Sequence, residues 1–221
     1  MSDQVPTADE VLAELRNKAD AATLEAMSSR YGIHTKKAMG VPMREMKALA
    51  KRLGTHHDLA SELWDTGWYE ARIVASMVED PTAVTPEQMD AWVEEFDNWA
   101  IVDTVCFNLF DRTDHAWDKV DQWAARTEEF VKRTAFALLW SLAAHDRDAP
   151  DDLFRRGLEL VEQKAGDGRP LVDKSIGMAL RSIGKQRPTL QAEALAVADR
   201  LASSEDPATK RIGRQALKEL G

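Results

Sequence analysis

A tryptophan and an aspartate stand one helical turn apart in "EEFDNWAIVDTVCFNLFDRT", residues 94–113. At about 100° per residue, Ile101, Val102, Val105 and Leu109 share one side of a helix through this stretch. Trp99, Asp103, Cys106 and Phe110 form a second line, roughly 115° from the first. One apolar stripe is enough to pack a surface helix, so the second line asks for another use. An anionic carboxylate beside an aromatic face can meet positive charge, in a bound cation or in a reaction that develops one. A structural alternative is open on spacing alone. In it Trp99 is a core aromatic, like Trp64, Trp92 and Trp140, and Asp103 is the partner of a nearby base. Arg133 in "VKRTAFALLW" is ambiguous in the same way, because ion pairing is the common fate of an arginine in a repeat helix. Tyr31 in "SRYGI" reads by default as a staple at a helix end.

Other chemistries find no support in the spacing. The five histidines (34, 56, 57, 115 and 145) form no HExxH, and the single cysteine, Cys106, cannot build a structural zinc site. His56 and His57 read as a solvated loop, and Gly166 and Gly168 in "KAGDGRP" as a turn rather than a phosphate cradle. No metal or cofactor is expected. One cysteine also fits a reducing compartment. The N-terminal stretch "MSDQVPTADEVLAEL" has neither the basic nor the apolar segment of a secretory signal, and no run approaches a membrane span. The expectation is a cytoplasmic monomer away from membranes.

The net charge of −9 argues, as an average, against a polyanionic partner. Its distribution argues otherwise. Residues 55–104 hold twelve acids and one base, Arg72, whereas residues 169–218 hold ten bases against five acids. A third segment, 36–52, carries six bases and only Glu45. The acidic mean therefore hides two basic regions far apart in the chain.

The elements that must position these residues are helices. Apolar residues recur at helical spacing throughout, punctuated by Pro, Gly and Asp-Pro, which predicts eleven or twelve helices and no strand. Thr7, Asp80, Asp114, Asp151 and Asp206 read as caps or first-turn residues. The segments "WYEARIVASMV", "FVKRTAFALLW", "LVDKSIGMALR" and "ATKRIGRQALK" share a basic residue (Arg72, Arg133, Lys174, Arg211) followed by small and apolar positions. A more acidic helix precedes each. Such a pattern predicts an all-α, superhelical solenoid of HEAT-like helical-hairpin repeats over residues 1–221 as one domain, with a concave cleft lined by the second helices. An irregular helical bundle is the alternative.

The motifs "RYGIHTKKAMGVP", "ELWDTGWYEAR", "DNWAIVDTV", "VKRTAFALLW" and "DKSIGMALR", in this order and spacing, resemble the bacterial DNA alkylation repair family of HEAT-like DNA glycosylases. The likeness runs from about Tyr31 to Pro188. It implies hydrolysis of the N-glycosidic bond of a purine alkylated at N3 or N7, in double-stranded DNA. Trp99 and Asp103 match the family's aromatic-and-carboxylate pair, with Asp103 as the catalytic charge. Tyr31 matches an N-terminal cleft aromatic, and Lys132, Arg133 and Arg181 would hold phosphates. Met178 stands in "IGMALR" where such enzymes carry a second cleft tryptophan, and Ala100 where an acid usually follows the first. The alternatives from another class are a non-catalytic module that binds DNA of unusual structure and a protein-binding scaffold.

Overall fold

The computed structural model describes residues 5–221, which form thirteen α-helices, two 3-10 turns and no strand. The helices fall into two compact units, one built from residues 5–89 and 95–113, the other from residues 90–94 and 114–221.

The first unit opens with α1 (Ala8–Asn17), started by a capping box in which Thr7 accepts from the Glu10 amide and the Glu10 carboxylate accepts from the Thr7 amide. Next come α2 (Ala21–Ser29), α3 (Met43–Leu53), α4 (His57–Asp65), α5 (Tyr69–Val78), the start of α6 (Pro86–Glu94) and α7 (Trp99–Asn108). Helix α5 is the pivot: α1, α3, α4 and α7 all pack on it. Its sequence explains why, since Ala71, Ile73, Val74, Ala75 and Val78 are wholly buried and leave it almost no solvent face. Arg72 on α5 is structural here. It lies over the Trp64 ring and pairs with Glu95.

The second unit holds α8 (Ala116–Ala124), α9 (Glu129–His145), α10 (Asp151–Lys164), α11 (Pro170–Gln186), α12 (Gln191–Ala202) and α13 (Pro207–Leu220). Here the hairpin repeat is plain. Helices α9, α11 and α13 pack side by side in one layer, and α8, α10 and α12 in a second. Small residues set the closeness of the layers. A Cβ on Gly213 of α13 would come within 2.2 Å of the Ala202 amide nitrogen at the end of α12. Asp90, near the end of α6, accepts from Lys119 at 2.7 Å and from the Trp123 indole at 2.9 Å, which ties that end of α6 to α8.

The sequence-level caps divide. Thr7 and Asp206 cap as expected, and Asp151 is a first-turn residue. Asp114 caps nothing, because α8 starts after His115. Thr85 rather than Asp80 accepts from the first turn of α6, and Asp80 holds a tight turn at Thr82 instead. His56 and His57 are not a solvated loop: they open α4, and His57 Nδ1 lies 2.7 Å from the buried Glu79 carboxylate.

Candidate functional site

Trp99 is the first residue of α7, and its place is set by the residue before it. The Asn98 side chain, itself buried, accepts from the amides of Ala100 and Ile101 at 3.0 and 3.1 Å. That cap starts the helix at Trp99 and satisfies two amides that would otherwise have no partner. Both lines of α7 are used. Ile101, Val102, Val105 and Leu109 are buried as expected, and so are Cys106 and Phe110 of the second line. Only the N-terminal part of that line, Trp99 and Asp103, reaches partial exposure.

Trp99 and Tyr31 come together. The Trp99 indole donates to the Tyr31 backbone carbonyl at 3.0 Å, across 68 residues of sequence. Tyr31 is no staple: its side chain is half exposed, with the Arg30 guanidinium 5.3 Å from the ring centre. The chain reaches this pose through Gly32, whose φ of +60° lets the Ile33 amide turn back to Met27. The loop that follows is held from inside. One oxygen of the buried Glu70 carboxylate accepts from the amides of Met39 and Gly40 at 2.9 and 2.7 Å. Gly40 has a φ of +79°, and a Cβ there would meet the Asp20 carbonyl oxygen at 2.5 Å. Glu70, Asn98 and Arg30 were not singled out in the sequence. The one signal for Asn98 was its place as a capping residue just before the apolar run.

Asp103 has a position as well as a neighbourhood. It is the fifth residue of α7, as Arg133 is of α9, Lys174 of α11 and Arg211 of α13. The register that carries a base in the second unit's helices carries an acid here.

The remaining expected residues lie in the second unit, and the structure revises them. Arg133 is wholly buried, with one guanidinium nitrogen donating to the Leu171 carbonyl at 2.6 Å. A guanidinium enclosed in this way is a tie between α9 and α11, so the expected phosphate contact is withdrawn. Lys132 is paired with Asp167 at 2.9 Å, both side chains largely buried. Arg169 grips the same carboxylate and also donates to the Thr127 carbonyl. These cations, Arg169 first and then Lys132, hold the Asp167 carboxyl well below the usual carboxylate range. Arg181 is bound to Glu219 of α13 at 3.2 Å. Met178 is half-buried on α11, one turn from Lys174 and three residues before Arg181. Close by, Asp173 is buried, with Arg211 3.9 Å away. Burial pushes its carboxyl up. No group of residues able to hold a metal ion occurs among the described residues.

Residues 11–220 match the family model of the DNA alkylation repair enzyme. The chain belongs to that family. Among curated proteins nothing matches it. A solved structure is similar over 98% of this chain and 97% of its own, with a TM-score of 0.80 and 22% sequence identity. That protein is described as one of a new family related to the HEAT-like repeat DNA glycosylases, with affinity for branched DNA structures. At this identity the likeness speaks to fold, and the fold of this family member is the HEAT-like repeat expected from its sequence. No helix of the described residues is long and apolar enough to cross a membrane.

Proposed function

We propose that this member of the DNA alkylation repair enzyme family is a DNA glycosylase that releases cationic N3- or N7-alkylated purines from duplex DNA. The observation that carries the reading is the joining of Trp99 to Tyr31, with Asp103 one turn along α7. Two sequence-distant aromatics and a carboxylate are thereby gathered in one partly exposed place.

The chemistry asks little of the protein. An alkylated purine already bears a positive charge, so the electron pair of the breaking C1′–N bond neutralises it and no general acid is needed. Positive charge passes to the deoxyribose. A carboxylate at Asp103 stabilises that charge, and the Trp99 face adds to it. Water supplies the oxygen at C1′, and its proton passes to Asp103 or to solvent. Tyr31 and its neighbour Arg30 supply sugar and backbone contacts. Of the phosphate contacts expected, Lys132 and Arg181 remain proposals, each requiring exchange of a carboxylate partner for a phosphate.

The test is a base-release assay on duplex DNA containing N7- and N3-methylpurines, with release expected above the spontaneous rate. The second reading is a non-catalytic module for DNA of unusual structure. It is favoured by Met178 in place of a cleft tryptophan, because a thioether lacks the aromatic quadrupole. Binding to duplex or branched DNA without base release selects that second reading.

A further inference from the structure

The less buried face of α7 holds an aromatic side chain that the reading so far has not used. With Trp99 taken as zero and about 100° per residue, the buried Ile101, Val102, Val105 and Cys106 span roughly 200° to 340° around the helix. The partly exposed residues fill the rest, Asp103 at about 40°, Phe107 at about 80°, Thr104 at about 140° and Asn108 at about 180°. Phe107 therefore stands nearest the middle of the open arc, beside Ala100 at about 100°, which adds only a methyl group. The polar groups around it are turned back on the helix. The Asn108 side chain donates to the Thr104 carbonyl at 2.7 Å, and Arg112 donates to the Asn108 carbonyl. Two other phenylalanines of this unit, Phe96 and Phe110, are buried and stack on each other, with ring centres 6.4 Å apart. Phe107 instead keeps part of its ring open.

A long side chain on a helix leans towards the N terminus, over the residues three and four places earlier. For Phe107 those are Thr104 and Asp103. By the same rule Trp99 leans away from Asp103, towards the Tyr31 carbonyl that accepts from its indole. Of the two aromatics on this face, Phe107 is the one directed at the carboxylate. A ring face and a carboxylate attract the same thing, a cation, the first through its quadrupole and the second through its charge. A planar cation can also stack on the ring. A hydrocarbon ring has no hydrogen-bonding group, so it cannot tell guanine from adenine.

We propose that Phe107 is a specificity-determining residue, whose ring beside Asp103 receives the cationic alkylated purine and favours it over a neutral one. Alkylation at N3 or N7 puts the charge on the base, and an intact purine has none, so the ring selects for damage. The attraction acts before the glycosidic bond breaks, and it fades as positive charge passes to the sugar. Phe107 therefore contributes to binding of the damaged base rather than to the rate of bond breaking. The inference rests on the glycosylase reading above and deepens it, by naming a side chain that separates damaged from intact base.

The experiment measures binding to two duplexes, one containing N7-methylguanine, which is cationic, and one containing 7-methyl-7-deazaguanine, a neutral base of the same shape. It compares the unmodified protein with Phe107→Leu and Phe107→Trp, and thermal melting checks the fold of each. Leucine keeps apolar bulk and removes the quadrupole, whereas tryptophan enlarges the aromatic face. The unmodified protein should prefer the cationic duplex. Phe107→Leu should weaken binding of that duplex about two- to five-fold and leave binding of the neutral one unchanged. The same variant should raise KM for base release rather than lower kcat. Phe107→Trp should keep the preference or sharpen it. Equal loss on both duplexes, or no loss on either, overturns the role, and a lower melting temperature with unchanged preference marks Phe107 as core packing. Base release that neither variant alters removes Phe107 alone and leaves the glycosylase reading standing. A cationic preference abolished by Phe107→Leu, with no base release by the unmodified protein, keeps Phe107 as the recognising residue and overturns that reading. Absence of both base release and cationic preference in the unmodified protein overturns the two together.

Discussion

At Asp103 the question is whether one carboxylate acts on charge or merely holds structure. Asp103→Asn keeps shape and removes the negative charge. If the charge stabilises a cationic sugar, base release falls by about 10² or more, the scale of losing a preorganised electrostatic group. DNA affinity and melting temperature then change little. Unchanged excision would rule out the mechanism, and a large drop in melting temperature would instead mark a structural ion pair. Arg133 shows where a family likeness can mislead. The likeness implies a phosphate contact for Arg133, yet its burial and its bond to the Leu171 carbonyl make it part of the core. Arg133→Ala is therefore expected to lower stability by about 3 kcal/mol, through a cavity and lost polar partners. Denaturant unfolding measures this, and a variant as stable as the parent would return Arg133 to the surface.

Helices here are positioned by their ends and by their closest approaches. The Asp167 carboxylate links the first turn of α9, through Lys132, to the residue before α11, Arg169. Its folded pKa lies below the unfolded value of about 3.9. The stabilisation is therefore complete above that unfolded value and is lost as pH falls through the folded one. Asp167→Asn should cost about 2 kcal/mol at neutral pH. The gap between variant and parent should begin to narrow as pH falls below about 4 and close only as pH falls through the folded pKa, and a gap independent of pH would show that charge is not the cause. Gly213 acts through space instead. Its Cα approaches the end of α12 so closely that an added Cβ meets backbone rather than a movable side chain. Gly213→Ala would gain helix propensity in an isolated peptide. In the protein it should instead lose about 2–3 kcal/mol by forcing the two helices apart. A rise in melting temperature would show that α12 and α13 can separate without cost.

For the molecule as a whole, charge arrangement outweighs net charge. A chain of net charge −9 is expected to bind duplex DNA with an affinity that falls steeply with salt, because each phosphate contact releases counterions. Binding that ignores salt, or none at low ionic strength, would favour a protein-binding scaffold. The second unit makes the selection visible. Its surface bases are largely quenched by nearby acids, while Lys210, Arg214 and Lys218 of α13 form no ion pair among the described residues. The acids of residues 55–104 serve structure as often as surface: Glu70 anchors a loop, Glu79 meets His57, and Glu95 meets Arg72 and Trp64.

Some of this was legible in the sequence alone. Helical periodicity and Asp, Thr and Pro at helix starts depend on neighbours a few residues away, so the all-helical hairpin repeat could be read directly, and Trp99 and Asp103 stand one turn apart in any helix through them. The family likeness likewise needed only motif order. What tertiary structure decided was the fate of each charge. Whether an arginine is enclosed like Arg133, latched like Arg181 or left open like Arg214 depends on residues of other helices, 38 positions away for both Arg133 and Arg181, and those meet it only when helices pack. The same holds for Tyr31, which reaches the Trp99 indole because Gly32 turns the chain and Glu70 and Gly40 fasten the loop behind it. Local spacing carries no information on those meetings, since burial and pairing are set by the distances between helices rather than along them.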